Sequence, residues 1–189
     1  MEHREIEVKI QIDSPRRAAA RLRSLGAILH RKRHFEDNFV FDYRDGRIRK
    51  SGSLLRVRIS GVRQGTLTFK GPRRILGGAK SRLELESELT DGPALIQVLH
   101  RIGMRCAFRY QKQRTVFLRG SLLIMVDETP IGSYLEIEGK PDRIESFAAR
   151  LGCGRKDFIT RTYYELFQSY RRENLIRRRD MMFGIETSK

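Results

Sequence analysis

The chain of 189 residues is predicted to form one β-dominated α+β domain. Three observations predict it. Turn-forming residues interrupt the sequence at short intervals. Most segments between them alternate apolar and charged side chains, the period of two that a half-buried strand needs. A few segments instead space their apolar residues three and four apart. The length suits a single core, and no Gly-, Ser- or Pro-rich linker divides the chain. Residues 1–189 are therefore read as one domain with a C-terminal helical extension from about 163.

Eight strands are expected, over residues 4–12, 35–42, 53–60, 65–71, 80–89, 107–118, 122–128 and 133–139. Tight links at Asp45-Gly46, Gly61, Gly65 and Arg119-Gly120 suit hairpins between many of them. A first helix opens at Ser14-Pro15, a capping residue followed by proline at the first helical position, and stops at Gly26. A second runs from near Asp91 to Gly103, with Leu95, Val98, Leu99 and Ile102 on one face. A third covers about 142–152, with Ile144, Phe147, Ala148 and Leu151 spaced likewise, and a last helix takes much of 163–178. The pattern carries a faint internal rhyme: three strands hold Glu-x-Glu (Glu5–Glu7, Glu84–Glu86, Glu136–Glu138), and each is followed by a helix ending in Leu-Gly or Ile-Gly.

Composition narrows the function. Lys and Arg number 39 against 23 Asp and Glu, a net charge of +16 that invites nucleic acid as a first guess. Apolar residues make up 39% of the chain, too many for a disordered basic tail. No stretch approaches the roughly 18 apolar residues of a membrane span, and the N-terminal MEHREIEVKI is too charged for a signal peptide. Cys106 and Cys153 lack metal-ligand spacing and cannot make a disulfide framework, so a cytoplasmic protein is expected.

Residues two apart on a strand share a face. Glu5, Glu7 and Lys9 thus oppose Ile6, Val8 and Ile10, and Arg56 and Arg58 oppose Leu55, Val57 and Ile59. Thr66, Thr68 and Lys70 oppose Leu67 and Phe69, and Arg82, Glu84 and Glu86 oppose Leu83 and Leu85. Lys112 and Arg114 share a face of the sixth strand, Asp127 closes the seventh, and Glu136 and Glu138 alternate with Leu135 and Ile137. Any sheet with one wet face shows such alternation, and periodicity alone does not say whether the charged face meets water or an interior. The sorting by type is more telling, because several strands carry only cations on that face and others only carboxylates. Converging carboxylates suit Mg²⁺ or Mn²⁺, and converging Arg and Lys suit phosphate oxygens.

At these residues the sequence resembles the CYTH family, the triphosphate tunnel metalloenzymes. Glu5-Ile6-Glu7-Val8-Lys9 matches the family's Glu-x-Glu-x-Lys signature. Leu55-Arg56-Val57-Arg58, Leu67–Pro72, Arg82–Glu86, Lys112-Gln113-Arg114, Asp127–Pro130 and Glu136–Gly139 follow in family order, from Glu5 to about Tyr164. The resemblance implies a closed eight-stranded antiparallel β-barrel with flanking α-helices, its charged faces lining a tunnel for a linear triphosphate and a divalent metal, Mg²⁺ or Mn²⁺. Residue by residue, it makes Glu5, Glu7, Glu136 and Glu138 metal-binding carboxylates, with Asp127 and Glu84 or Glu86 as nearby or second-metal candidates. Arg56, Arg58, Lys70, Lys112 and Arg114 become the triphosphate clamp, with Arg82 beside them. Lys9 would orient a phosphate or the attacking water, so that Lys9, Glu5 and Glu138 stand closest to the chemistry. Catalysis would be electrostatic, metal and cations neutralising charge on the transferred phosphoryl, with no histidine base.

Three functions follow. The first is a phosphohydrolase acting on tripolyphosphate, thiamine triphosphate or a nucleoside triphosphate. The second is a class IV-type adenylyl cyclase making cyclic AMP and pyrophosphate from ATP. The third is a non-catalytic module for polyphosphate or RNA. Gly77-Gly78-Ala79-Lys80-Ser81 imitates the end of a phosphate-binding P-loop without the required glycine spacing, and 71–80 reads as a flexible basic loop able to act as a lid. The four histidines, the two cysteines and the basic tail at 171–179 receive no chemistry. The proposed tunnel holds equal numbers of cations and carboxylates, so the whole positive excess lies outside it.

Overall fold

The computed structural model describes residues 3–76 and 78–184. Nine strands are present among them: β1 (His3–Ile12), β2 (Ile28–Asp42), β3 (Leu54–Ile59), β4 (Gly65–Lys70), β5 (Arg74–Leu76), β6 (Ala79–Leu89), β7 (Arg105–Arg119), β8 (Leu122–Thr129) and β9 (Gly132–Glu138). Eight of them close a ring in the order β1-β9-β8-β7-β2-β3-β4-β6, with β6 returning to β1, and every pairing is antiparallel. The expected eight-stranded closed sheet is thus the observed one. β5 is an addition, a short hairpin partner of β6 through Arg74↔Ser81 and Leu76↔Ala79. Within the stretch read from sequence as a flexible loop over 71–80, residues 74–76 are strand, and Ala79 and Lys80 belong to β6.

Cross-strand register puts the charged residues level with one another. Glu7 lies between Glu138 and Lys80, and Lys9 is beside Glu136. Lys70 is beside Glu84, Arg114 beside Asp127, and Glu36 beside Lys112. Directly opposed side chains share a face, so the charged faces of all these strands look into the ring.

The outward faces are covered by helices α1 (Pro15–Ser24), α3 (Gly92–Arg101) and α4 (Pro141–Arg150). Val8, Ile10, Ile124, Leu135 and Ile137 pack with Leu22 of α1 and with Ile144, Phe147 and Ala148 of α4. Each such fully buried side chain stabilises the fold by roughly 1.5–3 kcal/mol. A smaller core of Phe41, Val57, Leu99 and Met104 lies under α3. The sequence rhyme has a physical meaning here. Gly26, Gly103 and Gly152, which follow the three covering helices, adopt φ of 83°, 88° and 83°. Each helix ends by the same left-handed turn that only glycine makes without strain.

Three features depart from the sequence reading. β2 begins at Ile28 rather than 35, because backbone pairing to β7 carries it through the exposed, irregular run 28–34, with register shifts that alternation cannot reveal. A single-turn helix α2 (Arg47–Lys50) interrupts the β2–β3 link. The last helix, α5 (Tyr163–Glu173), stops short of the expected 178, and Leu175 just beyond it adopts φ 54°. Beyond it the chain returns to the barrel wall. β8 pairs with β7 only from Gln113 onward, and on the edge it leaves free Gln111 donates to the Met181 carbonyl at 2.8 Å and Met181 to that of Arg109 at 2.9 Å. Phe167 of α5 and Met181 pack on the inward aromatics Phe108, Tyr110 and Tyr134. No helix among the described residues is long and apolar enough to cross a membrane.

Candidate active site

The ring encloses a cavity of about 990 Å³. Alternation buries Glu5, Glu7 and Lys9 on its inner wall even though they are charged, at 5%, 7% and 3% exposure. Burying so many ionised groups is tolerable only with partners, and the partners divide the cavity into two groups.

The first group is a cluster of glutamates held by two lysines. Lys70 donates to both Glu5 oxygens, at 2.7 and 2.6 Å, and stands 3.0 Å from Glu84. Lys80 pairs with Glu7. Glu138 lies beside Glu7 in register. Burial, followed by Glu5 and Glu7, pushes the Glu138 carboxyl up to about 8. Burial and the nearby Glu7 raise Glu5 as well. At Glu7 the penalty of burial is outweighed, chiefly by Lys80, and its carboxyl falls to about 2.

The second group is a cationic wall. Arg114 grips both oxygens of Asp127 at 2.6 Å and also reaches Glu136. Lys112 donates to Asp127 at 2.8 Å, and so does the Tyr163 hydroxyl. Asp127 is completely buried and fully engaged by these donors. Lys9 bonds Glu136 and stands over the Tyr163 ring at 4.5 Å. Glu36, 1% exposed, faces Arg58 at 3.4 Å and Lys112 at 3.6 Å. Burial would raise its carboxyl, but Arg58, Lys112 and Arg114 hold it well below the usual range. Arg56 donates to Tyr110 at 3.2 Å and Thr68 at 3.0 Å, while its buried Nε has no hydrogen-bond partner among the described residues.

All the residues singled out from sequence lie on the inner face, and their contacts sort them further. Lys70, expected in the phosphate clamp, stands among the carboxylates. Arg82 turns to backbone, donating to the carbonyls of Gly71 and Gly52 at 2.7 Å each, and so braces two loops at the cavity wall. Glu86 caps Thr68 at 2.7 Å and approaches Arg56 at 3.4 Å. Asp127 and Glu136 serve as counter-ions of the cationic wall. Sequence reasoning passed over Glu36, Lys80, Asn38, Tyr110 and Tyr163. Glu36 and Asn38 do alternate against Phe35, Asp37 and Phe39, which was the available signal; Lys80 was hidden inside the false P-loop. Cys106, a half-buried thiol pushed up to about 11 by burial and by Asp180, stays out of the chemistry.

The glutamate group suits a hard divalent cation. Its donors are all carboxylate oxygens, and burial, reinforced by the neighbouring carboxylates, raises Glu5 and Glu138 despite the opposing pull of Lys70. Among the described residues no three such groups are drawn together tightly enough to hold an ion in this arrangement, since the two lysine ammoniums engage Glu5, Glu84 and Glu7.

Comparison with known proteins agrees with this architecture. A curated relative from Methanocaldococcus jannaschii, named "Putative adenylate cyclase", is 24% identical over 175 residues, covering 86% of this chain and 97% of its own. A solved Vibrio parahaemolyticus structure described as a "putative adenylate cyclase" superposes with a TM-score of 0.79 at 16% identity, covering 89% of this chain and 99% of that one. A Hippeastrum structure, described as a "putative adenylyl cyclase" that reveals a dominant triphosphatase activity, has a TM-score of 0.65 at 20% identity, with 90% and 96% covered. At those identities the solved structures speak for the fold. The model of the CYTH domain family matches residues 3–163, which include all eight strands of the ring, and the chain belongs to that family.

Proposed function

We propose that this chain is a divalent-metal-dependent triphosphate phosphohydrolase, working on an organic or inorganic linear triphosphate inside the ring. One observation carries the reading: an oxygen-only carboxylate cluster and a wall of buried cations share a single enclosed cavity. Glu5, Glu7 and Glu138, with Glu84 beside them, would hold Mg²⁺ or Mn²⁺; when bound, the ion supplies charge neutralisation at phosphate oxygens. Arg56, Arg58, Lys112 and Arg114 offer guanidinium and ammonium donors to the phosphate chain. Their own counter-ions Asp127, Glu36 and Glu136 fix them in place before substrate arrives, so little reorganisation is required as charge develops. Lys9, stacked on Tyr163 at the junction of the groups, is placed to orient a terminal phosphate. Burial would lower its ammonium, but Glu136 and Glu7 raise it, so it stays protonated and acts as a donor, not as a base.

A second reading, an adenylyl cyclase, is favoured by the apolar wall of the same cavity, where Val40, Ile48, Leu54 and Phe108 could receive an organic group. The names carried by the relatives point the same way. The Hippeastrum protein's dominant triphosphatase activity supports the hydrolase. The two separate by phosphorus NMR of ATP and of tripolyphosphate incubated with the protein and Mg²⁺ or Mn²⁺. Orthophosphate release is the expected result; cyclic AMP with pyrophosphate would replace it with the cyclase. Absence of turnover with every metal would leave a polyphosphate-binding module.

A further inference from the structure

A second cavity, about 280 Å³, lies on the outside of the ring, between the β7–β8 turn and α4. Arg119, Arg143 and Arg150 line it, with Ser121 and Ser146 beside them and Phe147 in its floor. Phe147 is 2% exposed and belongs to the core, so the floor is rigid. The three guanidiniums converge for structural reasons. Arg143, Ser146, Phe147 and Arg150 recur at the three- and four-residue spacing that makes one face of α4. Arg119 is the last residue of β7, its Nε fixed by the Leu25 carbonyl at 2.7 Å and its guanidinium lying 5.3 Å from the Phe147 ring centroid.

The charge at this place is not balanced by the protein. Among the described residues Arg119 and Arg150 have no carboxylate partner. Arg143 has only its neighbour Asp142, at 3.8 Å with both side chains 70% or more exposed, a pair worth little. Helix electrostatics explains Arg150 alone, because a cation in the last turn of α4 complements the dipole, whereas Arg143 sits in the first turns, where a cation is disfavoured. Arg21, which donates to the Arg150 carbonyl at 3.0 Å, brings a fourth guanidinium close by. Three arginines around one crevice, one of them pinned with its terminal nitrogens uncommitted, two serine hydroxyls and no lining carboxylate form a donor-rich cationic site.

We propose that this exterior crevice binds a compact phosphate-bearing anion, of the size of phosphate or pyrophosphate, independently of the tunnel. The cavity is too small for a folded macromolecular segment and ample for an oligophosphate. The pinned Arg119 offers the paired donors that phosphate oxygens accept.

The test is an amide NMR titration of the metal-free protein with inorganic pyrophosphate, at constant ionic strength set with chloride. Saturable shifts are expected at Gly120, Ser121 and Ser146. In the R143A/R150A double variant, whose substituted side chains are exposed, the dissociation constant read at those amides should rise at least tenfold, about 1.4 kcal/mol. Shifts read at Lys112 and Glu136 inside the ring, and triphosphate turnover, should be unchanged by the double substitution. Absence of saturable shifts at Gly120, Ser121 and Ser146, or their persistence in the variant, would overturn the proposal. A thymidine oligonucleotide in a parallel titration separates the sources of phosphate. If it displaces pyrophosphate and also shifts α1 and residues 28–34, the crevice is one part of a polyanion-binding face and the compact-anion reading fails.

Discussion

The two halves of the cavity hold the same kind of side chain in opposite electrostatic conditions. At the cationic wall Glu36 and Glu136 are buried among guanidiniums and ammoniums that hold their carboxyls well below the usual range. At the glutamate cluster Glu5 and Glu138 are buried among other carboxylates and pushed upward, Glu138 to about 8. Burial penalises ionisation at all four; the neighbours decide the sign. Carboxylates in the first condition are committed to the protein's own cations and shape the clamp. Those in the second are under-neutralised, which is the condition in which a divalent ion is most welcome.

Removing a committed carboxylate should do the most damage. Asp127→Asn deprives Lys112 and Arg114 of their shared partner in a fully buried position, and breaking such a pair costs about 3–5 kcal/mol. Urea unfolding should show this loss in midpoint without metal. An unchanged midpoint would mean that the wall is not held by Asp127.

Substituting the under-neutralised carboxylates should separate activity from stability. Glu5→Gln and Glu138→Gln are expected to abolish metal-dependent turnover while leaving the fold intact, with a cooperative urea transition in both; Glu5→Gln also weakens the Lys70 ion pair, so its midpoint should fall. Wild-type turnover in both variants would sink the metal assignment.

The comparison also has a pH signature. Glu36 is depressed in the folded state, so its contribution is fully present above the ordinary value of 4.5 and is lost as pH falls through its lower folded value. Glu138 has the opposite sign: in metal-free protein, stability declines as pH rises from 4.5 to about 8, because the unfolded chain releases that proton first. Melting temperature against pH should therefore lose part of its acid limb in Glu36→Gln and part of its neutral decline in Glu138→Gln. Identical profiles in the two variants would erase the distinction between the halves.

A smaller effect is expected at the clamp's periphery. Arg58→Ala should raise KM about tenfold, roughly 1.4 kcal/mol, with less change in kcat. Unchanged KM and kcat would remove Arg58 from the clamp. The mildest change is Tyr163→Phe, which keeps the ring beneath Lys9 and Lys112 and deletes only the hydroxyl bond to Asp127, a loss of about 1 kcal/mol in urea unfolding.

Much of this was legible in the amino-acid order because the ring is buried on both faces of its main strands. Ile6, Val8 and Ile10 must face helices, so Glu5, Glu7 and Lys9 are forced inward, and the same logic finds Arg56 and Glu136, whereas Lys112 alternates with the polar Gln111 and Gln113 and is not placed by it. Where one face is wet the signal fades. Residues 28–34 of β2 carry no alternation because they are exposed, and only their pairing with β7 makes them strand. Nor does spacing tell a carboxylate that meets a cation from one that meets another carboxylate. Asp127 and Glu138 look alike in the sequence and differ through partners contributed by the strands beside them in the ring, β7 for the first and β1 for the second. Lys80 was hidden for another reason: glycines beside it imitated a phosphate loop, while β5 makes the segment a hairpin.

Two-sided burial also governs which genetic changes the protein can survive. A strand with one wet face tolerates a one-residue shift at the cost of its apolar contacts alone. In β1 an inserted or deleted residue would exchange the two rows, carrying glutamates into the packing beneath α1 and α4 and isoleucines into the charged cavity. Both errors arrive together, and neither can be repaired by a substitution elsewhere on the strand. The β-strands of this chain should therefore drift by substitution, while changes of length gather in links such as the one around Gly61, where register is not at stake.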